Sequence, residues 1–477
     1  MLFTSLHYAL FLPLVFGLYW LLPHRARWAT LLAASVWFYL GFGAGFLLWL
    51  AYAVLLSYGA GLLLERAGRA RKGLLVAAVC LTLLPLFVFK YFNFFSQSVA
   101  AALGGLSVPL RPAVLKLAQP VGISFYTFQT VGYEVDVYRG KLRAERHPGL
   151  YALFVCFFPQ IVSGPINRAG ALIPELRRER VFDYDTARRG MLLLGWGFFK
   201  KMVIADNLGA YVDAVYADPA GCGGFALLLA ALLFSVEIYC DFSGYSDIAV
   251  GSAGLFGIPL AENFRSPYFA SSVKEFWARW HMSLSTWFRD YVYIPLGGNR
   301  VGRARHSLNL MLTFLASGLW HGADWSFVVW GGLHGLARIG EDRLGLSRGA
   351  GRSAASRALR TLLVFLFTTL AWIFFRADTL ADGWYVASHL FAGITSPAAY
   401  VGGGLAFLRE HLPLGKKILL PCLLLLAGYD FASLRTDVPA WLRARPAVLR
   451  WGIYLLVGML TLLCHYHGGV SFIYFQF

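Results

Sequence analysis

Glu275–Arg300 reads EFWARWHMSLSTWFRDYVYIPLGGNR, and Arg303–Gly335 reads RARHSLNLMLTFLASGLWHGADWSFVVWGGLHG. Together they put Arg, His, Asp, Asn and six tryptophans into a chain that is otherwise a series of apolar runs. Polar groups at membrane depth are expensive and need a reason. His281 lies among aromatics with helical spacing (Phe276, Trp277, Trp280, Trp287), which predicts a helix carrying all of them. His321 closes the run LMLTFLASGLW and is followed by Gly322, so its imidazole is expected at the end of a hydrophobic helix. Trp320 and Trp325 are expected to exclude water from it.

Working outward, 58% hydrophobic and 14% charged residues exclude an ordinary soluble domain, where the shares are about half and a quarter. An all-α polytopic membrane protein is predicted, as a single domain over residues 1–477 with its motifs in the middle and plainer helices at the C-terminal end. The net charge of +17 falls in short loops between apolar runs, the pattern of cytoplasmic loops rather than of a nucleic-acid surface. On this rule the loops at Arg25–Arg27 and Arg66–Lys72 are inside, as is the Arg343–Arg360 linker. The loop from Asp378 to Leu412 is then periplasmic, and the N-terminus lies outside as a retained helix rather than a signal peptide. GFGAG, residues 41–45, divides one apolar stretch into two helices. FFPQIVSGPIN, too short to span and broken by Pro159 and Pro165, is expected as a buried irregular or re-entrant segment. The punctuated region Pro259–Gly302 is expected as short helices lining a cytoplasmic vestibule. The six cysteines show no CxxC pair, and neither a metal nor a bound cofactor is predicted.

Several ordered motifs sharpen this reading: YTFQTVGYEVDVYRG (126–140), FFPQIVSGPINR (157–168), IYCDFSGYSDIAVGSAGLFGI (238–258), NFRSPYF (263–269), WIFFRA (372–377) and FIYFQF (472–477). With WARWHMSLSTWFRDYVYIPLGG and GLWHG between them, the chain resembles the membrane-bound O-acyltransferase family in its bacterial branch, and most closely its alginate and exopolysaccharide O-acetylation members. The resemblance implies a helical bundle with a buried tunnel in a bacterial inner membrane. It implies transfer of an acyl group, normally acetyl, from a cytoplasmic thioester such as acetyl-CoA or an acyl-carrier protein. The acceptor is then an extracytoplasmic polysaccharide such as alginate, reached through a periplasmic SGNH-type partner acetyltransferase. Peptidoglycan O-acetylation and teichoic-acid D-alanylation are the alternatives within the fold. A proton-coupled transporter or flippase is the alternative of another class, although no inverted repeat is visible in the sequence.

Acyl transfer to a hydroxyl needs a group that takes the hydroxyl proton and groups that stabilise the oxyanion. From spacing alone, His321 fits either a general base or a structurally hydrogen-bonded histidine; the resemblance makes it the catalytic base. His281 fits either a packing residue or a second active-site histidine, and the resemblance implies the latter, positioning rather than taking a proton. His334 is expected to pack helices near the site. Asp241 is expected to line the pocket or to pair with Arg279 or Arg289, and Glu237 to sit in a buried ion pair. Arg279 and Arg289, with Asn263 and Trp320, are expected to bind donor or substrate, the arginines through phosphate. Topology alone also accounts for the sign of the arginines. Finally, a passage for the acyl group is expected beside His321, so that a bulky residue at Gly318 or Gly322 would block it.

Overall fold

The computed structural model describes residues 1–108, 110–346, 353–466, 468 and 472–473. The middle of the Arg343–Arg360 linker, His467 and all of the terminal motif beyond Ile473 lie outside the described residues. Every regular element among the described residues is helical, as composition and resemblance led us to expect. The helices form two compact units, Met1–Met191 with Ala249–Ala261, and Leu192–Ile248 with Glu262–Phe477.

In the first unit, α1 (Leu6–Leu21) and α2 (His24–Leu40) are followed by α3 (Ala44–Arg66) and α4 (Arg71–Leu86). The break between α2 and α3 falls at the expected glycines, where Gly43 takes a φ of 137° that a side chain rarely tolerates. A π-helical turn at Phe87–Tyr91 joins α4 to α5 (Phe92–Gly105). After them come α6 (Ile123–Tyr138), α7 (Pro148–Cys156), α8 (Ala169–Arg177) and the start of α9 (Tyr184–Phe198).

Residues 157–167 are irregular and buried, as Pro159 and Pro165 predicted. Such backbone survives in an apolar interior only when its polar groups find partners. Here the Phe158 amide donates to Ser35 Oγ at 3.0 Å, and Gln160 is held between the Phe154 carbonyl at 2.6 Å and Asn167 at 2.9 Å. Gly122 lets this segment approach: a Cβ there would stand 2.2 Å from the Ile161 carbonyl oxygen, and its φ is +75°.

The second unit takes up the rest of α9, a π-helical turn at Phe199–Ala205, α10 (Asp206–Ala217) and α11 (Gly224–Leu255) up to Ile248. The region of residues 259–302 resolves, as expected, into short pieces, α12 (Val273–Trp277) and α13 (Met282–Phe288) among them. Then follow α14 (Arg303–His321), α15 (Trp325–Arg343), α16 (Ala354–Arg376), α17 (Leu380–His389), α18 (Pro397–His411), α19 (Lys416–Ser433), α20 (Val438–Arg443) and α21 (Ala447–Leu463).

Among the described residues, four helices are long and apolar enough to cross a membrane: Ala44–Arg66, Arg71–Gly105, Gly224–Leu255 and Ala354–Arg376; α1 and α21 are shorter apolar helices. Leu6, Leu10, Leu462 and Leu463 on those shorter helices are each at least 68% exposed, a surface that suits lipid and would aggregate in water. This is a membrane protein.

Candidate active site

The helix expected through His281 does not form. Phe276 and Trp277 lie on α12, which ends at Trp277, while His281 is the residue before α13 and sits in the left-handed region at φ 42°. A non-glycine residue there is strained by about 1–3 kcal/mol, so its surroundings must hold it. A local backbone clasp does so: the Met282 amide donates to the Asn263 carbonyl at 2.9 Å, and the Arg265 amide to the Arg279 carbonyl at 3.0 Å.

That clasp sets Asn263 against His281. Asn263 Oδ1 accepts from the Ser283 amide at 3.2 Å and from Ser283 Oγ at 2.6 Å, and its Nδ2 donates to Ser246 Oγ at 3.2 Å. The Ser283 amide can only donate, so it fixes which end of the carboxamide is the oxygen. His281 Nδ1 stands 3.4 Å from the same oxygen and therefore carries its proton, leaving the lone pair of the neutral ring on Nε2. The ring is fully buried and packs edge-on to Phe242, centroids 4.6 Å apart. Phe242 and Trp320 line this ring.

His321 is, as expected, the last residue of α14. Its Nδ1 meets the Ser317 carbonyl one turn back at 2.7 Å. A carbonyl only accepts, so Nδ1 bears the proton and Nε2 the lone pair. The C-terminal end of a 19-residue helix also favours a positive charge on this ring, by about 0.3–1 kcal/mol and more where partly buried. Its aromatic wall differs from expectation: Trp325 is 52% exposed, and the rings around His321 are Trp320 and Trp330, each 4.9 Å away, and Phe375 at 5.5 Å. His281 and His321 lie 6.4 Å apart, with Trp320 touching both.

α14 and α15 can approach closely enough to build this wall because glycines face each other. A Cβ on Gly318 would meet the Phe327 carbonyl oxygen at 2.3 Å, and one on Gly331 the Phe314 carbonyl oxygen at 2.4 Å. A Cβ on Gly322 would collide with the Phe327 ring at 2.0 Å. A bulky residue at Gly318 or Gly322 would therefore break the helix contact before it could obstruct any passage. His334 packs as expected, with Nδ1 accepting from Trp277 Nε1 at 3.2 Å.

The charged residues are arranged differently from expectation. Asp241 pairs with neither Arg279 nor Arg289. It meets Lys201 Nζ at 2.6 Å, and its other oxygen accepts from the Ile473 amide at 2.8 Å. Lys201 also meets Asp206 at 2.7 Å, and Lys200 meets Asp247 at 2.8 Å and donates to Ser243 Oγ at 2.8 Å. Both lysines are 3% exposed. Sequence reasoning missed them, although KK inside the apolar run FFKKMVIA was signal enough, because buried cations require buried anions. Glu237, expected in an ion pair, has none among the described residues, and its Oε2 has no hydrogen-bond partner there.

The arginines each hold a local carboxylate. Arg279 reaches Glu275 at 2.6 Å, Arg289 reaches its neighbour Asp290 at 2.8 Å, and Arg265 pairs with Glu262. Burial pushes the Glu275 carboxyl up, but the Ser271 amide and hydroxyl and the Arg279 guanidinium outweigh it and hold that group below its ordinary value.

With this geometry in hand, comparison with known proteins is direct. Residues 31–378 match the membrane-bound O-acyltransferase family. A probable alginate O-acetylase of Pseudomonas aeruginosa is 40% identical over 390 residues, which are 80% of this chain and 73% of the relative. The peptidoglycan O-acetyltransferase of Helicobacter pylori is 34% identical over 412 residues, 79% of this chain and 77% of its own. The teichoic acid D-alanyltransferase of Bacillus subtilis is 30% identical over 272 residues, 54% of this chain and 65% of its own. A match over this much of the chain, joined to an aromatic-walled histidine at the end of an apolar helix, makes this protein an O-acyltransferase and a member of the membrane-bound O-acyltransferase family.

Proposed function

We propose that the chain is the inner-membrane acyltransferase of an alginate O-acetylation system, with His321 as its general base. The observation that carries this reading is the 2.7 Å contact between His321 Nδ1 and the Ser317 carbonyl, which leaves the lone pair on Nε2 of a buried ring walled by aromatics. The acceptor follows the alginate O-acetylase of Pseudomonas aeruginosa, the more similar of the two polysaccharide relatives compared above over about four-fifths of the chain.

In this mechanism an acyl thioester, either acetyl-CoA or an acyl-carrier protein, is presented from the cytoplasm with its carbonyl carbon near the histidine pair. The acceptor hydroxyl attacks that carbon while His321 Nε2 takes its proton. A tetrahedral oxyanion forms, the carbon–sulfur bond breaks, the thiolate leaves, and the imidazolium returns the proton to it. The helix C-terminus steadies the imidazolium in between. His281 acts by position, since Asn263 fixes its tautomer and ring plane. Trp320 separates the two rings from water. Asp241 acts through Lys201 and not on substrate, and Arg279 and Arg289 serve the donor only as far as their carboxylate partners yield them. The attacking hydroxyl belongs to a periplasmic acetyltransferase of the SGNH type, whose acetyl ester is then attacked by a polysaccharide hydroxyl, releasing the partner's hydroxyl.

The test is expression in an alginate-producing bacterium lacking its own O-acetylase, with ester acetate on alginate and on peptidoglycan measured by NMR. Wild type is expected to restore alginate acetate and His321→Ala is not, at equal amounts of membrane protein. Acetate on peptidoglycan alone moves the assignment to the acceptor of the Helicobacter relative. Orientation is tested by single cysteines: one in residues 379–412 is expected to react with an impermeant reagent in intact cells, and one in residues 353–360 is not.

A further inference from the structure

The first unit holds a cavity of about 350 Å³, inside the ~300–1,000 Å³ range of small-molecule sites. It lies at the start of α2, at the basic loop PHRAR, and none of its lining residues is Asp or Glu. Two of its cations are already committed. Arg27 donates to the Leu22 carbonyl at 3.1 Å and the Arg180 carbonyl at 2.7 Å, and lies over the Tyr19 and Trp20 rings. Arg177 meets both oxygens of Glu145 at 2.7 Å. By contrast, the side chains of His24 and Arg25 have no hydrogen bond or ion pair to any described residue.

The remaining wall is built with donors. His147 caps α7 by accepting the Leu150 amide on Nδ1 at 3.1 Å, so its neutral ring carries the proton on Nε2. Trp28 packs edge-on to that imidazole, centroids 4.7 Å apart, and can do so only because residue 149 is glycine: a Cβ there would meet the indole ring at 2.2 Å. α2 begins without a side-chain cap, so the positive end of a 17-residue helix adds to the same field.

We propose that this cavity binds a phosphate ester, with His24 and Arg25 as the residues that take the phosphate and Trp28 as the apolar wall beside it. An uncommitted guanidinium, imidazole donors and an indole face match a phosphate carried on an apolar or glycerol body better than a bare ion. That chemistry is shared by an anionic phospholipid headgroup and a soluble phosphate monoester. None of its lining residues takes part in the proposed acyl transfer, so acyl transfer is not its readout.

Full-length protein is placed in nanodiscs of phosphatidylcholine, with or without phosphatidylglycerol, and retained lipid is read by native mass spectrometry. Soluble glycerol 3-phosphate is titrated against the phosphatidylcholine discs. The double variant His24→Gln/Arg25→Gln is expected to lower affinity about tenfold for whichever probe binds, as loss of charged hydrogen bonds does. Arg25 is exposed, so Arg25→Glu gives a second variant that keeps the fold. Variant-sensitive retention of phosphatidylglycerol assigns the site to lipid, and variant-sensitive binding of glycerol 3-phosphate alone assigns it to a soluble ester. If neither probe distinguishes wild type from both variants, the site does not exist.

Discussion

Two buried polar regions in the second unit solve the same problem in opposite ways. Around the π-helical turn Phe199–Ala205, the protein buries lysines against carboxylates: Lys201 between Asp206 and Asp241, and Lys200 against Asp247. Around the histidine pair, the groups are uncharged: Asn263, Ser283, Ser246, two imidazoles and a backbone carbonyl. A cancelled ion pair has little left to give a substrate, because every change of charge leaves its partner exposed to a low dielectric. A neutral imidazole whose other nitrogen is fixed by a carbonyl can accept a proton without orphaning anything. On the proposed mechanism the lysine cluster is structural and the histidines carry the chemistry.

The two regions are expected to respond differently to substitution. Lys201→Met removes the cation between two carboxylates, and a broken buried pair destabilises by about 3–5 kcal/mol, so the melting temperature in detergent should fall sharply and little folded protein should be recovered. An unchanged melting curve would remove the distinction between the regions. His321→Ala should lower acyl transfer by about 10²–10⁴-fold with no comparable loss of stability; a variant that fails to fold would make His321 another structural group. Asn263→Ala should reduce transfer by about tenfold, because the Ser283 amide and His281 lose their shared acceptor at a penalty of about 1–2 kcal/mol. His281→Asn should keep more activity than that, since an amide retains the hydrogen bonds but not the ring. The smallest effect is expected from Arg289→Ala. Arg289 is exposed and its partner Asp290 half-buried, pairs with an exposed member contribute about 0–1 kcal/mol, and the thioester KM should rise about threefold or less. A larger rise in KM at constant kcat would mean that Arg289 gives up Asp290 for the donor.

Much of this was legible in the chain. The helical class and the break before α3 follow from apolar run length and glycine, both of which act locally. His321 at a helix end follows from the glycine after it. Where the reading failed, the cause was distance. Aromatic spacing could not reveal that α12 stops at Trp277, because the strained turn at His281 exists only through backbone bonds to residues 263–265. Trp325 and Trp330 look alike as sequence, yet their position on the first turns of α15 puts one outward and the other against His321.

The sequence alone therefore determined the solvent this protein folds in, the break before α3, the end of α14 at His321 and the family to which the chain belongs, since each rests on residues near in the chain. Only the tertiary structure decided which cation meets Asp241, which amide orients His281 and which rings enclose His321. Lys201 and Asp241, Asn263 and His281, and Phe375 and His321 are all distant in the chain, as are Ile473 and Asp241, and a buried charge or imidazole takes whichever partner packing brings close.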